Sequence, residues 1–124
     1  MGIVFHIAHQ AEWDKAQIKG EYITGSLEKE KFIHLSLGEQ LIEVANSLYR
    51  DYSDLILLCI EENKLIAELK YEKVAKNYIF PHVYGPINLD AVVKTMDFKT
   101  EKDGLFRLPV EALKMLVEKG ILGK

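Results

Sequence analysis

The stretch Leu55-Ile56-Leu57-Leu58-Cys59-Ile60 decides the fold. An unbroken apolar run of this length is too short for a typical helix and has no polar side, the pattern of a strand buried on both faces. Such a strand needs a packed layer on each side, so the chain is expected to be α+β, with two to three helices around a mostly antiparallel sheet. Cys59 lies inside the run, where a thiol behaves as a small buried hydrophobe. As the single cysteine of the chain it forms no internal disulfide.

Downstream of this strand, Glu61-Glu62-Asn63-Lys64 supplies a turn, and Leu65 to Tyr71 alternates well enough to return as its hairpin partner. Lys73 to Asn77 reads as an exposed loop. Phe80-Pro81-His82-Val83-Tyr84-Gly85-Pro86 is expected to be extended but irregular, because both prolines restrict themselves and the residues before them. Ala91 to Phe98 alternates as a further strand, Lys102-Asp103-Gly104 is a turn, and Pro109 opens a last helix through Val110, Leu113, Leu116 and Val117 to Gly120.

Upstream, residues 3–8 form a strand with Ile3, Phe5 and Ile7 on one face and Val4, His6 and Ala8 on the other. Gln10 to Gln17 suits a short helix ended by Gly20, with Trp13 and Ala16 inward and His9 at its start. Residues 21–31 are polar and read as a loop. Phe32-Ile33-His34-Leu35-Ser36 alternates as one short strand, and Ser36-Leu37-Gly38-Glu39 has the form of a capping box. The helix it opens carries Leu37, Leu41, Val44, Ala45 and Leu48 as an apolar stripe reaching about Tyr49.

No repeat, linker or low-complexity segment divides the 124 residues, so residues 1–124 are expected to form a single domain. A composition of 48% hydrophobic and 28% charged residues is that of a folded chain. The net charge of −3 arises from 16 basic and 19 acidic side chains without a basic stripe, which argues against non-specific nucleic-acid binding. Met1 to His6 shows no basic region followed by a long apolar stretch, so neither a secretory signal nor a membrane span is expected, and the expected location is cytoplasmic.

Chemistry is expected to centre on His6, His34 and His82, each in a β-like, partly apolar context. A single buried histidine usually satisfies its ring nitrogens within the core. Three on neighbouring strands could instead line one cleft and bind a ligand or shuttle protons near neutral pH. No His-x-x-x-His, Cys-x-x-Cys or Glu-x-x-His spacing places two metal ligands together, so no metal is expected. No Gly-x-Ser-x-Gly elbow is present for a serine nucleophile. The helix start beside His34 and Ser36 has free backbone N–H groups that suit a phosphate. Arg50 and Arg107, the two arginines of the chain, are expected to face solvent, and Trp13, Tyr22, Phe32 and Tyr84 are the aromatic candidates for stacking on a base.

The ordered elements His6-Ile7, Glu12-Trp13, Gly25-Ser26, Phe32-Ile33-His34-Leu35-Ser36 with Gln40, and Phe80-Pro81-His82-Val83-Tyr84-Gly85-Pro86 resemble the bacterial family catalogued as domain of unknown function 952, DUF952. The resemblance runs from Val4 to about Phe106. More remotely the chain is similar to the ADP-ribosyltransferase fold, and within it to the RNA 2′-phosphotransferase branch, where NAD lies across a split sheet. His6 matches the first-strand position that holds NAD, and His34 the position before the helix. The third position, a Glu in enzymes that modify proteins, falls at His82 or a neighbour, and Phe80 to Pro86 contains no Glu.

The resemblance implies a nucleotide-binding or nucleotide-processing enzyme with NAD as a substrate rather than a resident cofactor. In it, His34 and His82 are the catalytic candidates and His6, Ser36 and Tyr84 the ligand-binding ones. The alternative is a non-catalytic module for a small ligand or partner, in which the same histidines only organise the cleft.

Overall fold

The computed structural model describes residues 2–75 and 77–118. The apolar run lies in β5 (Leu55–Glu61), which pairs antiparallel with β1 (Ile3–His9) along the whole length of both, from Ile3 opposite Glu61 to His9 opposite Leu55. On the far side of β5 runs β9 (Val92–Asp97), and on the far side of β1 the short β4 (Ser36–Leu37), giving the order β4-β1-β5-β9. A second sheet has the order β3-β7-β6, built from β3 (Ile33–His34), β7 (Tyr78–Tyr84) and β6 (Glu68–Ala75). A third, small pair joins β2 (Glu21–Tyr22) to β8 (Ile87–Asn88). Every strand pairing is antiparallel.

Alternation along β1 and β5 divides the core in two. Phe5, Ile7, Leu57 and Cys59 face α3 (Gly38–Leu48) and α4 (Val110–Glu118), packing on Leu41, Ala45, Ala112 and Leu116. Val4, Ala8, Leu58 and Ile60 face the other way, toward Ile33 and Val83 of the second sheet and Ala16 of α1 (Gln10–Lys19). A further helix, α2 (Gly25–Glu30), precedes β3. No helix among the described residues is long and apolar enough to cross a membrane.

The chain departs from the sequence expectations at four places. First, Leu65 to Tyr71 does not return along β5. Residues from Glu68 onward pair with β7, and the predicted loop from Lys73 continues β6 to Ala75. The β5 edge is taken by β9 instead, so the local hairpin gives way to a more distant strand.

Second, Phe80 to Tyr84 is regular strand, central in its sheet. Pro81 lacks a backbone donor, but its carbonyl still accepts from the Leu35 N–H at 3.0 Å. Third, residues 21–31 hold β2 and α2 rather than loop, α2 ending at Lys31 with φ 76°. With these, the described residues carry four α-helices rather than two to three.

Fourth, Phe32 to Ser36 is not one strand. Ile33 and His34 pair with β7, and Ser36 and Leu37 pair with β1, so the chain crosses from one sheet to the other at Leu35. Ser36 is therefore a strand residue, and the helix cap falls one residue later. There the Gln40 side-chain oxygen accepts from the Leu37 N–H at 3.0 Å, the half of a capping box that a leucine cap permits. The expected end of α4 at Gly120 lies outside the described residues.

Leu57 is fully buried at the centre of the helix-side core. Leu57→Ala is expected to lower unfolding stability by about 2–5 kcal/mol, measured by denaturant titration, because the sheet beneath it cannot collapse into the space.

Candidate functional site

His6 points into the inter-sheet core and is 8% exposed. Its Nδ1–H donates to the His34 carbonyl oxygen at 2.7 Å, and its Nε2 accepts from the Tyr22 hydroxyl at 2.8 Å. The tautomer follows from the partners, since a carbonyl can only accept. Burial depresses the His6 pKa to about 4, the hydrogen bond to His34 offsetting only part of it. Burial, reinforced by the Glu12 carboxylate, raises that of Tyr22, which keeps its hydroxyl a donor. His6 is thus a neutral pin joining β1, β2 and β3, with both ring nitrogens occupied.

His34 and His82 stand opposite each other in the β3–β7 register. Ile33 and Val83, one residue on, enter the inter-sheet core, so the two histidine rings project from the other face. Their centroids lie 5.3 Å apart at 81°. Phe32 stacks on the His82 ring at 4.1 Å and 18°, and meets the edge of His34 at 4.9 Å. The His34 side chain is 55% exposed and its Nε2 lies 2.5 Å from Glu30 Oε1, an i,i+4 contact reaching back to the end of α2.

His82 is 4% exposed. Its Nδ1–H donates to Glu72 Oε1 at 2.7 Å, and the Tyr84 hydroxyl donates to the same oxygen at 2.6 Å. Glu72 comes from β6, diagonal to His82 across the ladder, where Phe80 stands directly opposite it. The hydrogen bonds from Tyr84 and then His82 hold the Glu72 carboxyl below the usual carboxylate range, and the carboxylate in turn raises the Tyr84 hydroxyl. Lys70 Nζ sits 4.9 Å from the centre of the Tyr84 ring. The Nε2 of His82 is buried and has no hydrogen-bond partner among the described residues.

A groove of about 320 Å³ opens beside these rings, with His34, Ser36 and His82 along its floor. Its walls are Val44, Leu48 and Tyr49 of α3, facing Val74 and Phe80 of the β6–β7 hairpin. The surface is mostly apolar. The helix stripe expected to be core is therefore shared, with Leu41 and Ala45 turned to the sheet while Val44 and the 69% exposed Leu48 turn to the groove.

Of the five sequence candidates, His34, Ser36 and His82 line this groove, Tyr84 supports it through Glu72, and His6 touches it only through the His34 backbone. Glu72 and Glu30 were not among the candidates. The strand alternation that continues from Leu69 through Val74, with Asn77 as turn residue before Tyr78-Ile79-Phe80, is the hairpin signal that would have put Glu72 beside His82.

Arg50 and Arg107 are engaged elsewhere, Arg50 Nε donating to the Gly104 carbonyl at 2.9 Å and Arg107 meeting Asp103 at 2.7 Å. Among the described residues no group of three or more His, Cys, Asp or Glu is placed to hold a metal ion. Cys59 is buried, which pushes its thiol up to about 12, far from a reactive thiolate.

These features define an α+β protein of stacked antiparallel sheets with a histidine-floored apolar groove. The chain belongs to the family described as protein of unknown function, DUF952, whose model matches residues 7–95. It is similar to the crystal structure of protein CC0527 from Caulobacter crescentus, with a TM-score of 0.82 and 32% identity over 90% of this chain and 99% of that one. The solution NMR structure of CC0527 gives a TM-score of 0.76 and 34% identity, covering 87% of this chain and 94% of the other. No curated protein matches the sequence.

The state of His6 makes stability pH-dependent with a definite sign. Its folded pKa of about 4 lies below the ordinary histidine value of 6.5, so between these values the unfolded chain binds more protons. The contribution is complete above about pH 6.5 and is lost as pH falls toward 4. Over that window the native protein is expected to lose about 3 kcal/mol more than His6→Gln, which does not titrate, as read from urea unfolding at stepped pH.

Proposed function

We propose that the groove holds the nicotinamide or base end of an NAD- or ADP-ribose-like nucleotide, and that His82 acts there as a general base. The observation that carries this reading is the unpaired, buried Nε2 of His82, with Nδ1 held by a carboxylate. In a neutral ring so anchored, Nε2 is a lone pair that can take a proton from a substrate hydroxyl, and Glu72 then stabilises the imidazolium. His34 and Ser36, on the same floor, are the candidates to hold the adjoining ribose.

Glu72 and Tyr84 are positioning residues in this reading, and His6 fixes the backbone of His34. An ADP-ribosyltransferase-like or phosphotransferase-like reaction would use the same base. The order of His6 on the first strand and His34 before a helix supports that assignment, as does the groove between that helix and the second sheet. A non-catalytic ligand module is the second reading. It is favoured by the Glu30 contact, which already occupies the His34 ring.

Titration with NAD, ADP-ribose and a 2′-phosphorylated oligonucleotide, followed on histidine side-chain resonances, tests the proposal. Saturable shifts at His34 and His82 are expected with at least one of them, with His6 moving less. His34→Ala is expected to weaken binding about ten-fold if His34 holds the ribose. Shifts absent at millimolar nucleotide would overturn the nucleotide reading. Turnover surviving His82→Gln unchanged would remove its role as base.

A further inference from the structure

We infer that the group seated against His82 is an uncharged hydrogen-bond donor carried on an apolar ring, and that phosphates are kept out of the groove. This deepens the proposal above by naming what the site selects. It rests on that reading for the location of the site, but not for the identity of the ligand as a nucleotide.

Hydrogen bonding comes first. Glu72 can only accept from His82 Nδ1–H, so in the neutral ring Nε2 can only accept. A buried acceptor without a partner is complemented by a donor, such as a hydroxyl, an amide N–H or a ring N–H. An anion offers it another lone pair.

Charge comes second. Among the described residues, no lysine or arginine lines the groove. Two carboxylates are bonded to its histidines instead: Glu72 on His82 and Glu30 on His34. A pyrophosphate brought in would meet these charges, and Lys70, whose ammonium sits over the Tyr84 ring and acts on Glu72, is not among the residues that line the groove.

Shape and surface come third. Val44, Leu48, Val74 and Phe80 present aliphatic and aromatic walls that suit a flat apolar body, with one acceptor at the floor to orient it. The donor is held at His82 and the remainder of the molecule is desolvated against the walls.

The test uses the full chain at pH 8, where free imidazole is neutral, with 4-methylphenol, 4-methylanisole and inorganic pyrophosphate as probes. Nitrogen-detected NMR of the unsubstituted protein reads the His82 ring directly, so the outcome does not depend on a variant folding. Expected are saturable binding of 4-methylphenol with a change at His82 Nε2, binding of 4-methylanisole about ten-fold weaker for want of the donor, and no response to pyrophosphate. His82→Gln is expected to erase the difference between the two aromatics.

Equal affinity for both aromatics would overturn the inference, as would pyrophosphate displacing 4-methylphenol. Silence from all three would do the same. The two proposals fail separately. If 4-methylphenol behaves as expected while NAD and ADP-ribose do not bind, the donor pocket stands and the nucleotide reading falls. If ADP-ribose binds through its phosphates at His82, the reverse holds.

Discussion

The ladder between β1 and β5 is the constraint on which the rest of the molecule depends. Both strands are buried on both faces, so each needs cover on two sides, and the other elements supply it. The helix side is covered by α3 and α4, the opposite side by the second sheet and α1. His6 is the polar side chain in the middle of this apolar ladder, and it is tolerated because both its nitrogens are satisfied across the layer boundary. Removing a partner there would leave a buried polar atom, which couples the position of β3 to the integrity of the core.

That coupling has a geometric consequence at Leu35. The chain leaves the second sheet after His34 and enters the first at Ser36, with Leu35 itself buried and bonded to Pro81. The switch places the start of α3 beside the outer face of the second sheet. A groove opens there because α3 has a wider apolar stripe than the first sheet can cover. Leu41 and Ala45, with Ile42 packed beside them, make the contact with the core over β1 and β5, and Val44 and Leu48 are left to face the hairpin.

How much of this the sequence discloses depends on the range of the interaction involved. The doubly buried β5, the alternation of β1, the stripe of α3 and the turn at Gly104 are local patterns, and each appears where periodicity puts it. Partner choice is not local. Leu65 to Tyr71 looks like a return strand for β5, yet β9 takes that edge, since which of two alternating segments fits a ladder depends on the layers above and below it. The site was legible to the same degree. His34 and His82 could be named from their contexts, but the carboxylate that orients His82 was hidden once β6 was cut short at Tyr71. The saturation of His6 depends on Tyr22, a residue in a segment that reads as loop.

The three histidines, alike in sequence context, end in three different chemical states because of what faces each ring. His6 meets one acceptor and one donor and is closed. His34 meets a carboxylate in the open, where water competes for both partners and the contact holds weakly. His82, a lining residue of the apolar groove, meets a carboxylate at one nitrogen, while the other is buried without a partner among the described residues. Leaving that nitrogen unpaired costs the folded protein about 1–3 kcal/mol, a penalty that any ligand carrying a donor relieves on entering. Affinity and orientation then have the same source. The groove walls reward any apolar body of the right width, while the one unsatisfied atom rewards a single way of placing it.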